Sequence, residues 1–202
     1  MHSIITGDII GSRKSKSIDW IDGLKVLLSK FGSTPKNWEI YRGDEFQLEI
    51  NDASQAIAIA LQIKAFLKSI KLDARMSIGI GSKTYTAQSI SESNGSAFVF
   101  SGEGFNRLKK NKINLSVNSE YKEFNTEINL MLRLGLTFMD NWTAQLAEYV
   151  LVAMQNPDLS QEEIGQKLGI NQAAVSRRRK RANFDVMLES IVFYIEKTKQ
   201  LK

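Results

Sequence analysis

The chain has 202 residues, 43% apolar and 24% charged, with no cysteine, one histidine and a formal net charge of +5. The lack of cysteine excludes disulfide frameworks and thiolate metal sites, and the lone His2 leaves little room for histidine catalysis or a zinc centre. No apolar run nears the roughly 20 residues that span a bilayer. The opening MHSIITGDII also lacks the basic-then-apolar layout of a signal peptide, so a cytoplasmic location and no membrane partner are expected.

Ser3 to Ile10 reads as a short buried strand ending at GSRKS. From Ser17 to Phe31 the apolar residues Ile18, Ile21, Leu24, Leu27, Leu28 and Phe31 recur three and four apart, which predicts a helix. Trp38 to Tyr41 and Phe46 to Ile50 flank the turn YRGDEF as a hairpin, with Phe46, Leu48 and Ile50 on one face. Ala53 to Ile70 reads as a second helix, and Ala74 to Ile80 alternates as a strand through Met76, Ile78 and Ile80. The order β-α-β-β-α-β predicts a ferredoxin-like unit, in which the first strand lies beside the hairpin. Further on, Ala97 to Phe100 is expected as a short strand, Gly102 to Lys110 as a helix and Ile113 to Val117 as another strand. Leu130, Leu134, Phe138, Trp142, Leu146 and Val150 then recur every four residues and mark a helical region. The fold class expected is α+β, with a first domain over residues 1–130 and an all-α domain over 131–202.

Adjacency of the first strand and the hairpin brings Asp8 and Asp44 to one rim although they are far apart in sequence. Mg²⁺ takes six hard oxygens and commonly binds one or two carboxylates plus substrate phosphates. Backbone N–H groups of the segment after the strand, Ile9 to Ser12, are placed to meet phosphate oxygens, Gly11 permits close approach, and Arg13 and Lys14 add positive charge. The plainer alternative is that Asp8 caps a loop and Asp44 satisfies a hairpin turn.

ITGDIIGSR at 5–13, YRGDEF at 41–46, ARMSIGIG at 74–81 and SGEGFNRLKK at 101–110 resemble, in order, the landmarks of the palm domain of class III nucleotide cyclases and diguanylate cyclases. The resemblance implies that Asp8 and Asp44 are metal ligands, that the phosphate loop is Ile10, Gly11, Ser12 and Arg13, and that Mg²⁺ is the cofactor. Glu45 would be a helper, and Arg42 stands where the diguanylate enzymes carry a glycine. Asn106 and Lys110 would take the places of the Asn and Arg that orient ribose and phosphoryl group. Lysine there offers a point charge and not the bidentate fork of arginine.

The stretch LSQEEIGQKLGINQAAVSRRRKRA, residues 159–182, reads as a pair of helices crossing at a turn. Ser160 and Glu163 have the spacing of a capping box, Gly169 suits a helix C-terminus, and Asn171 caps a second helix whose inward residue is Val175. Gly165 permits a close crossing, and Phe184 is expected to complete the core where Arg178 replaces an apolar residue. The spacing resembles the helix-turn-helix of bacterial regulators. On that reading the second helix presents Gln172, Ala173, Ser176 and Arg177 near its start to DNA; Gln172 and Arg177 are the candidates for base edges, while Ser176, Arg179, Lys180 and Arg181 hold phosphates, with Lys167 behind them. The final segment, with Phe184, Met187, Leu188, Ile191, Val192 and Ile195, is an amphipathic helix expected either in the core or at a homodimer seam, as is the 130–156 region.

A palm-like domain followed by such a helix pair resembles the SatD family. The function expected is a DNA-binding regulator whose first domain senses a metal-bound nucleotide or another phosphate ligand. Its partners are then double-stranded DNA, that ligand and a second copy of the chain. The alternative is a Mg-dependent cyclase-like enzyme acting on a nucleoside triphosphate.

Overall fold

The computed structural model describes residues 1–12, 19–41 and 43–201. Among them, β1 (His2–Ile10), β2 (Trp38–Tyr41), β3 (Glu45–Ile50), β4 (Asp73–Gly81) and β5 (Leu115–Asn118) form one sheet in the order β2-β3-β1-β4-β5. Neighbours pair antiparallel except β4 and β5, which are parallel. The helices are α1 (Asp19–Leu28), α2 (Ala56–Ser69), α3 (Ser96–Asn111), α4 (Lys122–Met139), α5 (Ala144–Gln155), α6 (Gln161–Leu168), α7 (Gln172–Arg181) and α8 (Phe184–Lys199). A mixed β/α region is thus followed by a run of helices. No helix of the described residues is long and apolar enough to cross a membrane.

Alternation along the strands divides the sheet into two unlike faces. Ile5, Ile9, Phe46, Leu48, Met76 and Ile78 face the apolar side of α1 and α2. The opposite face is polar: Asp8 lies opposite Glu45 and Arg75, and Thr6 lies opposite Gln47 and Ser77. Small residues let α3 settle on this second face. A Cβ at Gly79 would stand 2.1 Å from the Ala97 carbonyl oxygen, so a larger residue would push the helix off the sheet. Thr6 Oγ1 and Ser101 Oγ then meet at 3.0 Å across the same contact.

This placement corrects the strand expected at Ala97 to Phe100. Those residues form the first turns of α3, which opens at Ser96 and not at Gly102. Ala97 and Ser101, one turn apart, both point at the sheet, and this packing overrides the strand preference of Phe98-Val99-Phe100.

The four-residue spacing seen from Leu130 onward is helical, but it does not trace the buried stripe. At 3.6 residues per turn a step of four advances about 40° too far, so Leu130 and Leu134 end up 49% and 63% exposed. Ile128, Leu132, Leu136 and Met139 make the inner face of α4 instead. Residue 130, where one domain was expected to end, falls in the middle of α4, and a single hydrophobic core runs from Ile5 to Tyr194.

Polar contacts also tie the two regions. Lys64 of α2 is fully buried, and its Nζ lies 2.8 Å from Asp73 Oδ1 and 2.6 Å from Asp140 Oδ1. Lys68 reaches Asp73 Oδ2 at 3.3 Å and donates to the Asp140 carbonyl, and Asn114 Nδ2 donates to Asp140 Oδ2 at 3.1 Å. The Tyr194 hydroxyl donates to the Ala53 carbonyl at 2.8 Å, and burial pushes its pKa up. Replacing Asp73 and Asp140 together with alanine strands the Lys64 ammonium in the core. We expect a loss of about 3–5 kcal/mol in urea unfolding; a loss below about 1 kcal/mol would show that the ion network does not hold the halves together.

Candidate functional site

Two places concentrate the residues singled out from sequence. The first is the rim where β1 meets the turn between β2 and β3. Asp8 is near the end of β1, and the backbone N–H of Ile9 donates to the Asp44 carbonyl at 3.0 Å, so the rim carries both aspartates as expected. Ser12 Oγ donates to Asp44 Oδ2 at 2.7 Å and closes the segment after β1 against the turn. Gly11 is exposed with φ +89°, and Ile10 is still the last residue of β1, paired opposite Asp73. Arg13, Lys14 and Arg42 lie outside the described residues.

Two cations reach the Asp8 carboxylate. Arg75 Nη1 is 3.1 Å from Oδ2, and Lys109 Nζ is 3.5 Å from the same oxygen. Arg75 arrives through strand register, because it sits directly opposite Asp8 on β4. Lys109 arrives through helix phase, one turn beyond buried Phe105, and its ammonium also lies 5.0 Å from that ring. Asn106 and Lys110 are both exposed on α3, so the helix residue brought to Asp8 is Lys109 and not Lys110.

The resemblance assigns Mg²⁺ to Asp8 and Asp44. As arranged, the residues do not fit that ion. One carboxylate is held by a guanidinium and an ammonium, the other accepts a serine hydroxyl, and a dication would have to displace both positive groups. The backbone N–H of Ile9 is likewise spent on Asp44 and does not face outward for a phosphate.

The second place is the pair α6 and α7. Ser160 Oγ accepts from the Glu163 backbone, while the Glu163 carboxylate accepts from the Ser160 N–H at 2.8 Å and holds its hydroxyl at 2.7 Å. These bonds hold the Glu163 carboxyl below its ordinary pKa. Gly169 ends α6 in the left-handed conformation with φ 64°, and the Asn171 side chain caps α7 by accepting from Ala174 N at 2.9 Å. A Cβ on Gly165 would stand 2.6 Å from the Ile170 carbonyl oxygen, so glycine lets the turn fold over α6. Val175 is fully buried, and Phe184 packs edge-on against Tyr149 at 5.4 Å, which completes the core as anticipated.

Helix phase splits the basic run of α7. Val175, Arg178, Arg179 and Ala182, three and four apart, face inward. Arg178 Nη1 meets Glu148 at 3.1 Å, and Arg179 is bound to Asp185 at 2.5 Å, lies over the Phe184 ring and has its pKa raised by that carboxylate. Gln172, Ala173, Ser176, Arg177, Lys180 and Arg181 are exposed and lie on the opposite side. Of the residues expected to meet DNA, Arg179 alone is turned toward the protein.

A mixed β/α region built on a five-stranded sheet and followed by a capped, basic helix pair is the class of protein that these elements define. The model of the SatD family matches residues 3–192, nearly the whole chain, and the chain belongs to that family. No curated protein gives a significant match.

Ser160→Ala removes the Oγ that accepts from the Glu163 N–H and donates to the Glu163 carboxylate, leaves only the bond from its own backbone N–H, and lowers the urea midpoint at neutral pH. Because the Glu163 pKa is depressed in the fold, its contribution is complete above the ordinary glutamate pKa and is lost as pH falls through the depressed value. The difference between the two proteins should narrow in acid; a gap independent of pH would rule out this coupling.

Proposed function

We propose that this protein is a DNA-binding regulator that reads duplex DNA with the exposed side of α7. The observation carrying this reading is the segregation on α7: acids of α5 and α8 neutralise Arg178 and Arg179, while Gln172, Ser176, Arg177, Lys180 and Arg181 stay exposed on one side. The α6–α7 pair has the caps, glycine crossing and buried valine of a helix-turn-helix, whose second helix enters the major groove by its N-terminal residues. Gln172 and Arg177 lie in that part of α7 and carry side chains able to pair bidentately with adenine and guanine. Lys180 and Arg181, farther along, are phosphate contacts.

The order of the first four strands, with α1 and α2 on one face, supports the ferredoxin-like, palm-like reading of the β/α region. In this proposal that region senses a phosphate-bearing ligand. Magnesium at Asp8 and Asp44 is not part of it, because Arg75 and Lys109 already supply the positive charge at Asp8. Cyclase-type turnover is not the reading preferred, since Asn106 and Lys110 are exposed on α3 and the residue of that helix paired with Asp8 is Lys109. A second copy completes the proposal, because one small reading head contacts only one half-site.

In fluorescence anisotropy with a random duplex at low salt, the wild-type protein should bind, and each phosphate contact removed should weaken binding on all sequences. Arg181→Ala is expected to reduce the salt slope by about 1. Gln172→Ala should relax sequence preference instead, by about 1–3 kcal/mol at one base pair. Absence of duplex binding at low salt, where phosphate attraction is strongest, would refute the reading.

A further inference from the structure

The outer edge of the sheet carries a cavity that the preceding argument leaves unused. β5 is the edge strand, and α4 closes its open side with a side chain: Asn129 Oδ1 accepts from Val117 N at 2.9 Å, and its Nδ2 donates to Val117 O at 2.7 Å. One turn farther along the same face of α4 stands Arg133. From the other side, Arg107 of α3 donates from Nη2 to Asn118 Oδ1 at 2.8 Å. Asn118 is itself fixed, donating to Ser77 Oγ at 3.0 Å and Ser116 Oγ at 3.2 Å. Between the helices lies a cavity of about 220 Å³ lined by both arginines together with Asn111, Ser116 and Asn118.

The charge of this trough differs in kind from that of the Asp8 rim. No carboxylate lines it among the described residues. Glu103 stands 3.7 Å from Arg107, but both side chains are more than half exposed and water screens the pair. Guanidinium groups match the oxygens of phosphate in a planar, bidentate fashion, and two of them on opposite walls suit a dianion. The volume is below the range of about 300–1,000 Å³ usual for drug-sized ligands, so a phosphate fits with a small organic group and little more.

We propose that this trough binds a phosphate dianion, free or as a monoester, between Arg107 and Arg133, with Asn111 and Ser116 as neutral partners. It gives a place and a chemistry to the ligand of the β/α region, and so rests on the sensing part of the reading above. Its test involves no DNA, so either reading can fail alone. An anion here would bridge α3, which carries Lys109 to Asp8, and α4, which ends beside Asp140 and the Lys64 network.

Calorimetric titration of the full chain with inorganic phosphate and, separately, with adenosine monophosphate, both in chelator, tests the assignment. Saturable binding is expected, weakened about tenfold or more by Arg133→Gln and by Arg107→Gln. Tighter binding of the monoester would identify an organophosphate ligand; equal or tighter binding of free phosphate would identify the inorganic ion. Both arginines are exposed, so unchanged thermal unfolding of the glutamine variants would separate lost binding from lost fold. No saturable heat up to about 10 mM of either compound, or binding indifferent to both variants, would overturn the proposal.

Discussion

A buried ammonium holds this molecule in one arrangement. Lys64 has no route to water, and its charge is met by one carboxylate from β4 and one from the end of α4. Removing a cation from water costs several kcal/mol, and the cost is recovered only when its partners sit at hydrogen-bonding distance. A hydrophobic residue could fill the same volume with any rotation of the neighbours, whereas Lys64 is satisfied only where Asp140 faces Asp73. Apolar packing of α5 on α2 makes the interface stable. The ions make it specific. Through them the register of the sheet fixes where α5 to α8 lie, and hence where the basic face of α7 points.

Acidic residues do similar work in opposite ways at the two candidate places. At the rim, cations come to an acid: register and helix phase bring Arg75 and Lys109 to Asp8, so a site with two aspartates is no longer a strongly negative pocket. On α7, acids come to cations: Glu148 and Asp185 take up the two arginines that face the protein. The remaining positive charge of α7, from Arg177, Lys180 and Arg181, lies on one side of that helix, and Arg107 and Arg133 line a trough of their own. Confinement of this kind converts a modest net charge of +5 into local fields able to attract phosphate.

Much of the architecture was legible in the sequence because it depends on local period. A short apolar run located β1, alternation located β3 and β4, and helical spacing of apolar residues located α1 and α2. Ser160, Glu163, Gly169 and Asn171 marked the ends of α6 and α7 through chemistry that acts within a few residues. Arg75 was missed because its meeting with Asp8 depends on the pairing of β1 with β4, which no local signal carries. Lys109 was within reach: Ala97, Ser101, Phe105 and Leu108 set the inner phase of α3, and Lys109 follows Phe105 by one turn, whereas Asn106 and Lys110 fall outside it. The false strand at Ala97 to Phe100 hid that phase. Likewise Val175 alone predicts that Arg178 and Arg179 turn inward, a consequence obscured by reading the basic run as a block.

The central claim is that the exposed side of α7, and no other surface, meets duplex DNA. The most direct measurement is to add a short duplex at low salt to ¹⁵N-labelled protein and follow backbone and side-chain resonances. The account predicts shifts concentrated at Gln172, Ser176, Arg177, Lys180 and Arg181, with the Asp185-bound Nε of Arg179 moving little. Shifts that centre on the sheet or on α3, or a spectrum that DNA leaves unchanged, would contradict it.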